Sequence, residues 1–373
     1  MKIGTIYGIE IKLNVSTLII VGLVGFYAAS LYTSLTGSLD IPILITIGLL
    51  NGFIMLFSIL AHEIMHSIVA QKYGLNVTEI ELYVLGGVSK IEEEPRTPKS
   101  EFIIAVVGPL TSILIGGLFL GILFLPISFT AFIFITLFYA GFSNLILGIF
   151  NLLPAFPIDG GRLLRAFLWY RKKDLVSATR IASRIGVFFG YGMIFFGFFQ
   201  SFIFGLFNGF WLVLIGFFLI SSAKNAYTQV ETSEQLSKFN AQELVEVPEA
   251  AIPFNSLVTD AIKNYFMRYN KEYFPVIREN RIIGIVSIKD IQDLSPNVRS
   301  QYVIGYLAQD IDTFPSITDH ERGDTAINKI SANTNTPNLL IVRDEDDTER
   351  ILGFISPESL RSAIKFAQLR VEG

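Results

Sequence analysis

The chain has 373 residues, 51% of them hydrophobic and 17% charged, with a mean hydropathy of +0.52. Soluble domains carry roughly 25% charged residues, so a large part of this protein is solvated by lipid. A net charge of −4 gives no argument for nucleic acid or acidic partners, and the absence of cysteine excludes disulfides, CxxC metal sites and thiol catalysis. Charge is densest beyond about Lys224, where 38 of the 62 charged residues lie, which predicts a membrane domain over 1–223, a polar linker over 224–243 and a soluble domain over 244–373.

In chain order, Met1 to Val15 lacks the apolar core and small-residue cleavage site of a signal peptide, so the first helix is expected to stay in the membrane. Apolar runs of at least about 18 residues read as spanning helices. They lie at 16–34, 43–71, 102–125 and 130–156, and the longer run from Ile185 to Ala223 reads as two, turning between Gln200 and Gly209. Residues 35–42, 126–129 and 200–209 contain no Lys or Arg. The alternate segments are basic, with Lys2 and Lys12, then Lys72, Lys90, Arg96 and Lys99, then Arg162 to Arg184, then Lys224. Six helices with both termini cytoplasmic satisfy this pattern. Thr78 to Val84 alternates polar and apolar residues and predicts a strand, with Gly86-Gly87 as a tight turn before Val88 to Ile91. Residues 161–174 read as an interfacial helix, and Gly117-x-x-x-Gly121 and Gly186-x-x-x-Gly190 permit close helix contact.

His62-Glu63-Ile64-Met65-His66 is an HExxH signature inside the second run, where Glu63 is the only formally charged residue from Ile43 to Gln71. Four residues apart on a helix, the histidines share one face and can hold one metal ion, and Glu63 is spaced to activate water. An ionisable group at membrane depth costs at least about 2.5 kcal/mol and is a functional-site hypothesis by default. The second helix runs inward and His66 lies close to Gln71 and Lys72, so the site falls in the cytoplasmic half of the bilayer. The fourth helix also runs inward, toward Asn151, Pro154, Pro157, Asp159, Gly160 and Gly161 at similar depth. Its prolines would break the helix, and irregular backbone at that depth is tolerated where it lines a cavity. Catalytic zinc takes three protein ligands. The chain's remaining histidine, His320, belongs to the soluble tail, so the third ligand is expected to be a carboxylate, with Asp159 best placed.

HExxH in the second helix with N-x-x-P-x-x-x-x-D-G at the end of the fourth resembles the site-2 protease family of intramembrane zinc peptidases. The second motif is carried by Asn151, Pro154, Asp159 and Gly160. The resemblance implies one Zn2+ held by His62, His66 and Asp159, with Glu63 as general base and acid, hydrolysing a peptide bond inside a transmembrane segment of a substrate protein. Asn151 matches the motif asparagine, read either as an oxyanion stabiliser or as a helix-packing hydrogen bond. Similar proteins fold the region of 78–91 into a small sheet near the site. Its edge either holds an unwound substrate by strand addition or serves packing alone.

The tail repeats itself. Asp260-Ala-Ile262 recurs as Thr325-Ala-Ile327, Pro275 to Arg278 as Leu340 to Arg343, and Gly284 to Asp290 as Gly353 to Ser359, with an insertion around Glu345–Glu349. Each unit reads as helix, strand, turn, strand, helix. This resembles a tandem pair of CBS domains, at about 244–300 and 301–373, which implies adenine-nucleotide binding (AMP or ATP) in the clefts between repeats. Ser287 and Asp290 match the family's hydroxyl and carboxylate positions. In the second repeat Ser356 matches, but Ser359 stands where the aspartate would be, which puts one cleft in doubt. An assembly or docking module without ligand is the other reading.

The fold class expected is thus an α-helical polytopic membrane domain of six helices with a small membrane-associated β segment, followed by a soluble α/β tandem CBS module. The function expected is intramembrane zinc endopeptidase activity in the cell membrane, acting on transmembrane proteins and modulated by nucleotide, with oligomers formed through the CBS domains. The competing readings are a CBS-gated transporter or channel and an inactive pseudo-protease. The first of these would need polar groups along several helices and broken-helix repeats.

Overall fold

The computed structural model describes residues 2–83, 86–91, 95–332 and 337–371, and the chain divides into two compact units, Met1–Thr228 and Gln229–Gly373. In the first unit α1 spans Thr17–Thr36 and ends at Gly37, whose φ of 68° lets its N–H return to Thr33. Only a residue tolerant of the left-handed region closes a helix this way. Helix α2, Ile41–Lys72, starts on the Asp40 side chain, which accepts from Ile43 N, with a proline in the first turn. At about 48 Å it is longer than the ~30 Å hydrocarbon layer, so it either tilts or extends beyond that layer.

Thr97 and Ser100 form a capping box for α3, Pro98–Ile122. Helix α4, Ala131–Asn151, stops short of the apolar run's end at 156. Pro154 disfavours helical backbone at the residue before it and cannot supply an N–H to continue the ladder. Helix α5, Asp159–Lys172, covers most of the segment 161–174 expected as an interfacial helix, with Phe167 and Tyr170 exposed beside Arg171 and Lys172. Helix α6, Leu175–Phe204, begins at the Asp174 cap, well before the apolar run at Ile185. It turns at Gly205 into α7, Leu206–Leu236, which continues helically through much of the polar segment expected as a linker.

Among the described residues, six helices are long and apolar enough to cross a membrane. Their outward faces carry Leu114, Phe188, Phe195 and Phe202 at 72%, 76%, 68% and 91% exposure. Apolar surface on that scale is stable only against lipid. Between helices glycine permits backbone contact. A Cβ on Gly25 of α1 would lie 2.6 Å from the Gly48 carbonyl oxygen of α2, and one on Gly116 would lie 2.8 Å from the Gly141 oxygen of α4. The GxxxG pair 117/121 serves no such contact, because both positions face open space; the neighbouring Gly116 faces α4 instead.

A four-stranded sheet packs on the helices in the order β1 (Lys2–Ile6), β2 (Ile9–Leu13), β3 (Val77–Tyr83), β4 (Gly86–Ile91). Pairings are antiparallel, parallel and antiparallel in turn. Ile9, Val77, Ile80 and Leu82 pack with Ile59, Ala70 and Ile104, while Lys12 pairs with Glu79 and Lys2 with Glu10. Salt-bridging partners hold the Glu10 carboxyl below its ordinary range, chiefly through Lys2. Gly86 and Gly87 do not form the expected turn. They are the first residues of β4, opposite Tyr83 and Leu82, and Val84 lies outside the described residues.

Among its described residues, the second unit contains two sheets. One runs β5 (Ile252–Pro253), β6 (Tyr273–Arg278), β7 (Arg281–Ser287), β8 (Gln309–Asp310). The other is built from β9 (Ser316–Thr318), β10 (Leu340–Arg343) and β11 (Ile351–Ile355). Each has a parallel pair followed by an antiparallel one. Each is then completed by the opening residues of the other repeat: β8 pairs with β7, and Glu246 bridges Phe354. Ile285, Ile311, Phe314, Ile341 and Phe354 form a core drawn from both repeats.

Helix contact at glycine gives a direct test. Gly25→Ala should destabilise the detergent-solubilised protein by about 1–3 kcal/mol through backbone overlap, visible as a lower thermal unfolding midpoint. Gly22→Ala, on an open face of the same helix, should be neutral or slightly stabilising. Equal midpoints for the two variants would refute the packing argument.

Candidate metal centre

His62 and His66 occupy successive turns of one face of α2 and are 4% and 5% exposed, and Asp159, the first residue of α5, is 9% exposed. Asp159 Oδ2 lies 3.1 Å from His62 Nε2 and 3.2 Å from His66 Nε2, and the two Nε2 atoms are 3.1 Å apart. The other ring nitrogens are engaged on α3. His66 Nδ1 donates to the Ile104 carbonyl at 2.6 Å, and His62 Nδ1 meets Ser112 Oγ at 2.9 Å.

These contacts decide what the triangle can hold. A carbonyl only accepts, so His66 Nδ1 carries a proton, and in the neutral ring Nε2 then presents a lone pair. That lone pair faces a second Nε2 and a carboxylate oxygen. Two imidazoles and a carboxylate are a zinc donor set, and tetrahedral zinc with bonds of about 2.0–2.1 Å separates its ligand atoms by about 3.3 Å. The observed triangle fits that ion. Histidines held from behind by a carbonyl or hydroxyl are the usual outer-shell arrangement of such a centre.

The backbone around the triangle is shaped by glycine. A Cβ on Gly108 of α3 would collide with His66 Nε2 and lie 2.7 Å from His62 Nε2, so only glycine leaves space beside the donor atoms. Pro109 follows and, lacking an N–H, interrupts the α3 ladder at this level. Cβ atoms on Gly160 and Gly161 would overlap the backbone of Leu152–Leu153 and of Phe156, and one on Gly186 would overlap the Phe156 carbonyl. The segment that delivers Asp159 is therefore pressed between α5 and α6. Across the site, β4 lies over Glu63: a Cβ on Gly87 would be 2.8 Å from Glu63 Cδ and 3.0 Å from Oε1.

Of the residues singled out in the sequence, His62, His66 and Asp159 meet, and Glu63 lies one residue from the first of them under β4. Asn151 is half-buried at the end of α4 with its amide donating to the Leu147 carbonyl at 2.9 Å. The sequence reading missed Gly108, Ser112, the Ile104 carbonyl and the approach of Gly87. A Gly-Pro pair in the middle of a spanning run was the available signal for the first, since neither residue favours a helix interior.

In the second unit Ser287 caps the helix Ile288–Gln292. Its Oγ donates to Asp290 Oδ2 at 2.6 Å, and Gln309 Nε2 donates to Asp290 Oδ1 at 2.9 Å. Ser356 and Ser359 make the same reciprocal turn, with Ser356 Oγ donating to Glu246 at 3.3 Å. A cleft of about 190 Å³ beside them is lined by Glu246, Glu249, Tyr269, Lys271, Tyr273 and Phe354 among others. Burial and the charge of Glu246 push the Tyr273 hydroxyl up to about 12. A second histidine–carboxylate group, Asp319, His320 and Glu345, is mostly exposed.

Comparison with known proteins adds to this geometry. The profile of peptidase family M50 matches residues 52–134 and 127–193, and that of the CBS domain matches 243–296. The putative zinc metalloprotease Rip3 of Mycobacterium tuberculosis (strain ATCC 25618 / H37Rv) is 30% identical over 324 residues, covering 86% of this chain and 82% of that protein. The putative zinc metalloprotease sll0528 of Synechocystis is 29% identical over 325 residues, covering 83% and 82%. The solved structure of the site-2 protease from Methanocaldococcus jannaschii is 29% identical, covers 60% of this chain and 94% of that one, and gives a TM-score of 0.42.

The outer contacts of the triangle predict a metal-binding phenotype. Ser112→Ala should weaken zinc binding about 10–100-fold in chelator competition, with the fold retained. Gly108→Ala should lose more, because its methyl group enters the donor space. Wild-type affinity in both variants would show that α3 does not shape the centre.

Proposed function

Because the chain belongs to peptidase family M50, the site-2 protease family of zinc metalloproteases, we propose that it cleaves peptide bonds within transmembrane segments of other membrane proteins. It is a multi-pass membrane metalloendopeptidase that carries a CBS domain. The observation that carries the proposal is the buried triangle of His62, His66 and Asp159 with Glu63 beside it on α2. A zinc ion held by those three residues would supply Lewis acidity for amide hydrolysis.

The chain's own groups supply the rest. Glu63 takes a proton from the attacking water and returns it to the leaving amide nitrogen, a role that contributes about 10²–10⁴-fold. Ile104 and Ser112 hold the imidazole rings at Nδ1 with their Nε2 atoms facing Asp159. A lipid-embedded helix hydrogen-bonds its own backbone, so the substrate must unwind before it can be cut. The edge strand β4 is suited to receive it: it is the last strand of its sheet, and its Gly87 lies against Glu63. An extended segment added there would bring its backbone to the base. Asn151 is assigned to helix packing in the resting enzyme, given its bond to Leu147, and to the oxyanion when substrate is present.

Basic segments flank the same ends of alternate helices, which supports cytoplasmic termini and a site fed with water from that side. For the tail we propose adenine nucleotide, AMP or ATP, at the Ser287–Asp290 turn. That carboxylate is absent from the second repeat, where Ser359 reproduces only the cap. Nucleotide there would regulate cleavage with a coupling of about 1–3 kcal/mol.

The protease assignment is tested in detergent with a transmembrane substrate. Glu63→Gln should keep wild-type zinc content and lose cleavage by about 10²–10⁴-fold; undiminished cleavage would sink the mechanism. Separately, AMP or ATP should raise the unfolding midpoint of the full chain, and Asp290→Ala should abolish that shift while leaving zinc content unchanged. No shift in the wild type would leave the tail as an assembly module.

A further inference from the structure

The membrane unit holds a buried ion pair that the metal centre does not explain. Glu101, in the first turn of α3, is fully buried, and Arg165 of α5 is 4% exposed. Arg165 Nη2 and Nε both reach Glu101 Oε1, at 2.5 and 2.6 Å. The guanidinium also lies over the Phe156 ring, with Cζ 4.9 Å from its centroid. Phe156 belongs to the irregular segment between α4 and Asp159, and its backbone is the one overlapped by a Cβ at Gly161 or Gly186. Arg165 therefore touches two things at once: the helix that holds both histidines from behind, and the segment that delivers the third donor.

Stability alone does not account for the pair. Taking two charges out of water costs about what their attraction returns, and well-packed apolar residues of similar volume do as well or better. What an ion pair of this geometry does supply is direction. The planar guanidinium converges two N–H donors on one carboxylate oxygen and stacks its face on an aromatic ring, neither of which an aliphatic contact enforces. Asp159 and Arg165 are six residues apart on α5, roughly 9 Å along its axis. A small rotation or slide of α5 on α3 would thus carry Asp159 away from the Nε2 atoms. Ile104, which accepts from His66, lies one turn beyond Glu101 on α3.

We propose that Glu101 and Arg165, with Phe156, are positioning residues that set the rotation of α5 against α3 and so seat Asp159 on the two histidines. This inference rests on the reading of His62, His66 and Asp159 as zinc ligands. Its effect is on metal affinity and coordination geometry rather than on the fold.

The experiment compares the full-length wild type with Glu101→Leu/Arg165→Met, in which both charges are removed together, and with Arg165→Lys, which keeps the charge and loses the planar fork. Three quantities are read: the unfolding midpoint of metal-free protein, zinc affinity by chelator competition, and the d–d absorption of the Co2+-substituted protein. The double variant should unfold at the wild-type temperature, bind zinc about 10–100-fold more weakly and show an altered Co2+ spectrum. Arg165→Lys should lie between them. Wild-type affinity and spectrum in a folded double variant would overturn the proposal and leave the pair a packing contact. Should the double variant fail to fold, unchanged affinity and spectrum in Arg165→Lys would overturn it equally. A wild type that binds neither Zn2+ nor Co2+ would instead overturn the metal-site reading.

Discussion

Everything in the membrane unit is arranged around one electrostatic constraint. Two imidazole nitrogens and a carboxylate oxygen face one another at 3.1–3.2 Å in a region sheltered from water. Lone pairs so placed repel unless a proton or a metal cation lies among them, and burial leaves little solvent to relieve the mismatch. The histidines cannot turn away, because each ring is held at its far nitrogen by α3. Nor can Asp159 withdraw, because the segment before it is pressed between α5 and α6. The architecture holds together three groups that could share one metal ion.

Helix α3 is the organising element, although it contributes no metal ligand of its own. Along about three turns it presents Glu101 to Arg165, the Ile104 carbonyl to His66, the bare backbone of Gly108 to both donor atoms and Ser112 to His62. Continuing outward, Gly116 brings α4 into backbone contact. The pieces that converge on the site from α2, α4 and α5 are thus registered against a single rod. The Gly-Pro step in α3 marks the level at which that rod departs from an ordinary spanning helix.

The tail obeys a different logic. Its two repeats complete each other's sheets, so neither is a closed unit by itself: β8 belongs by sequence to the second repeat and by hydrogen bonding to the first, while Glu246 does the converse. Such exchange explains why a core of apolar residues from both repeats lies between the sheets. It also gives the Ser-x-x-Asp and Ser-x-x-Ser turns a structural duty as helix caps, independent of any ligand. The loss of the aspartate in one repeat is tolerated by the fold because a serine hydroxyl completes the same turn.

Six helices long and apolar enough to span and the meeting of the HExxH histidines with Asp159 were legible in the sequence, because hydrophobic length and the spacing of histidines on a helix are local properties. A break between Gln200 and Gly209 was legible from hydrophobic length, and the structure puts it at Gly205. The hairpin of β1 and β2 left a weaker trace, in the alternation of Ile9, Glu10, Ile11 and Lys12 and in Tyr7-Gly8, which adopts positive φ at both residues. Short strands of this kind depend on partners distant in the chain, here β3. Contacts that join separate helices left little local trace beyond the Gly-Pro pair of α3. Neither the seat of His66 on a main-chain carbonyl, nor Gly108 beside the donor atoms, nor the reach of Arg165 to Glu101 can be read from spacing. Each exists only once the helices are rotated about their axes, and in an apolar bundle that rotation is set by side-chain packing, to which a pattern of hydrophobicity is nearly blind.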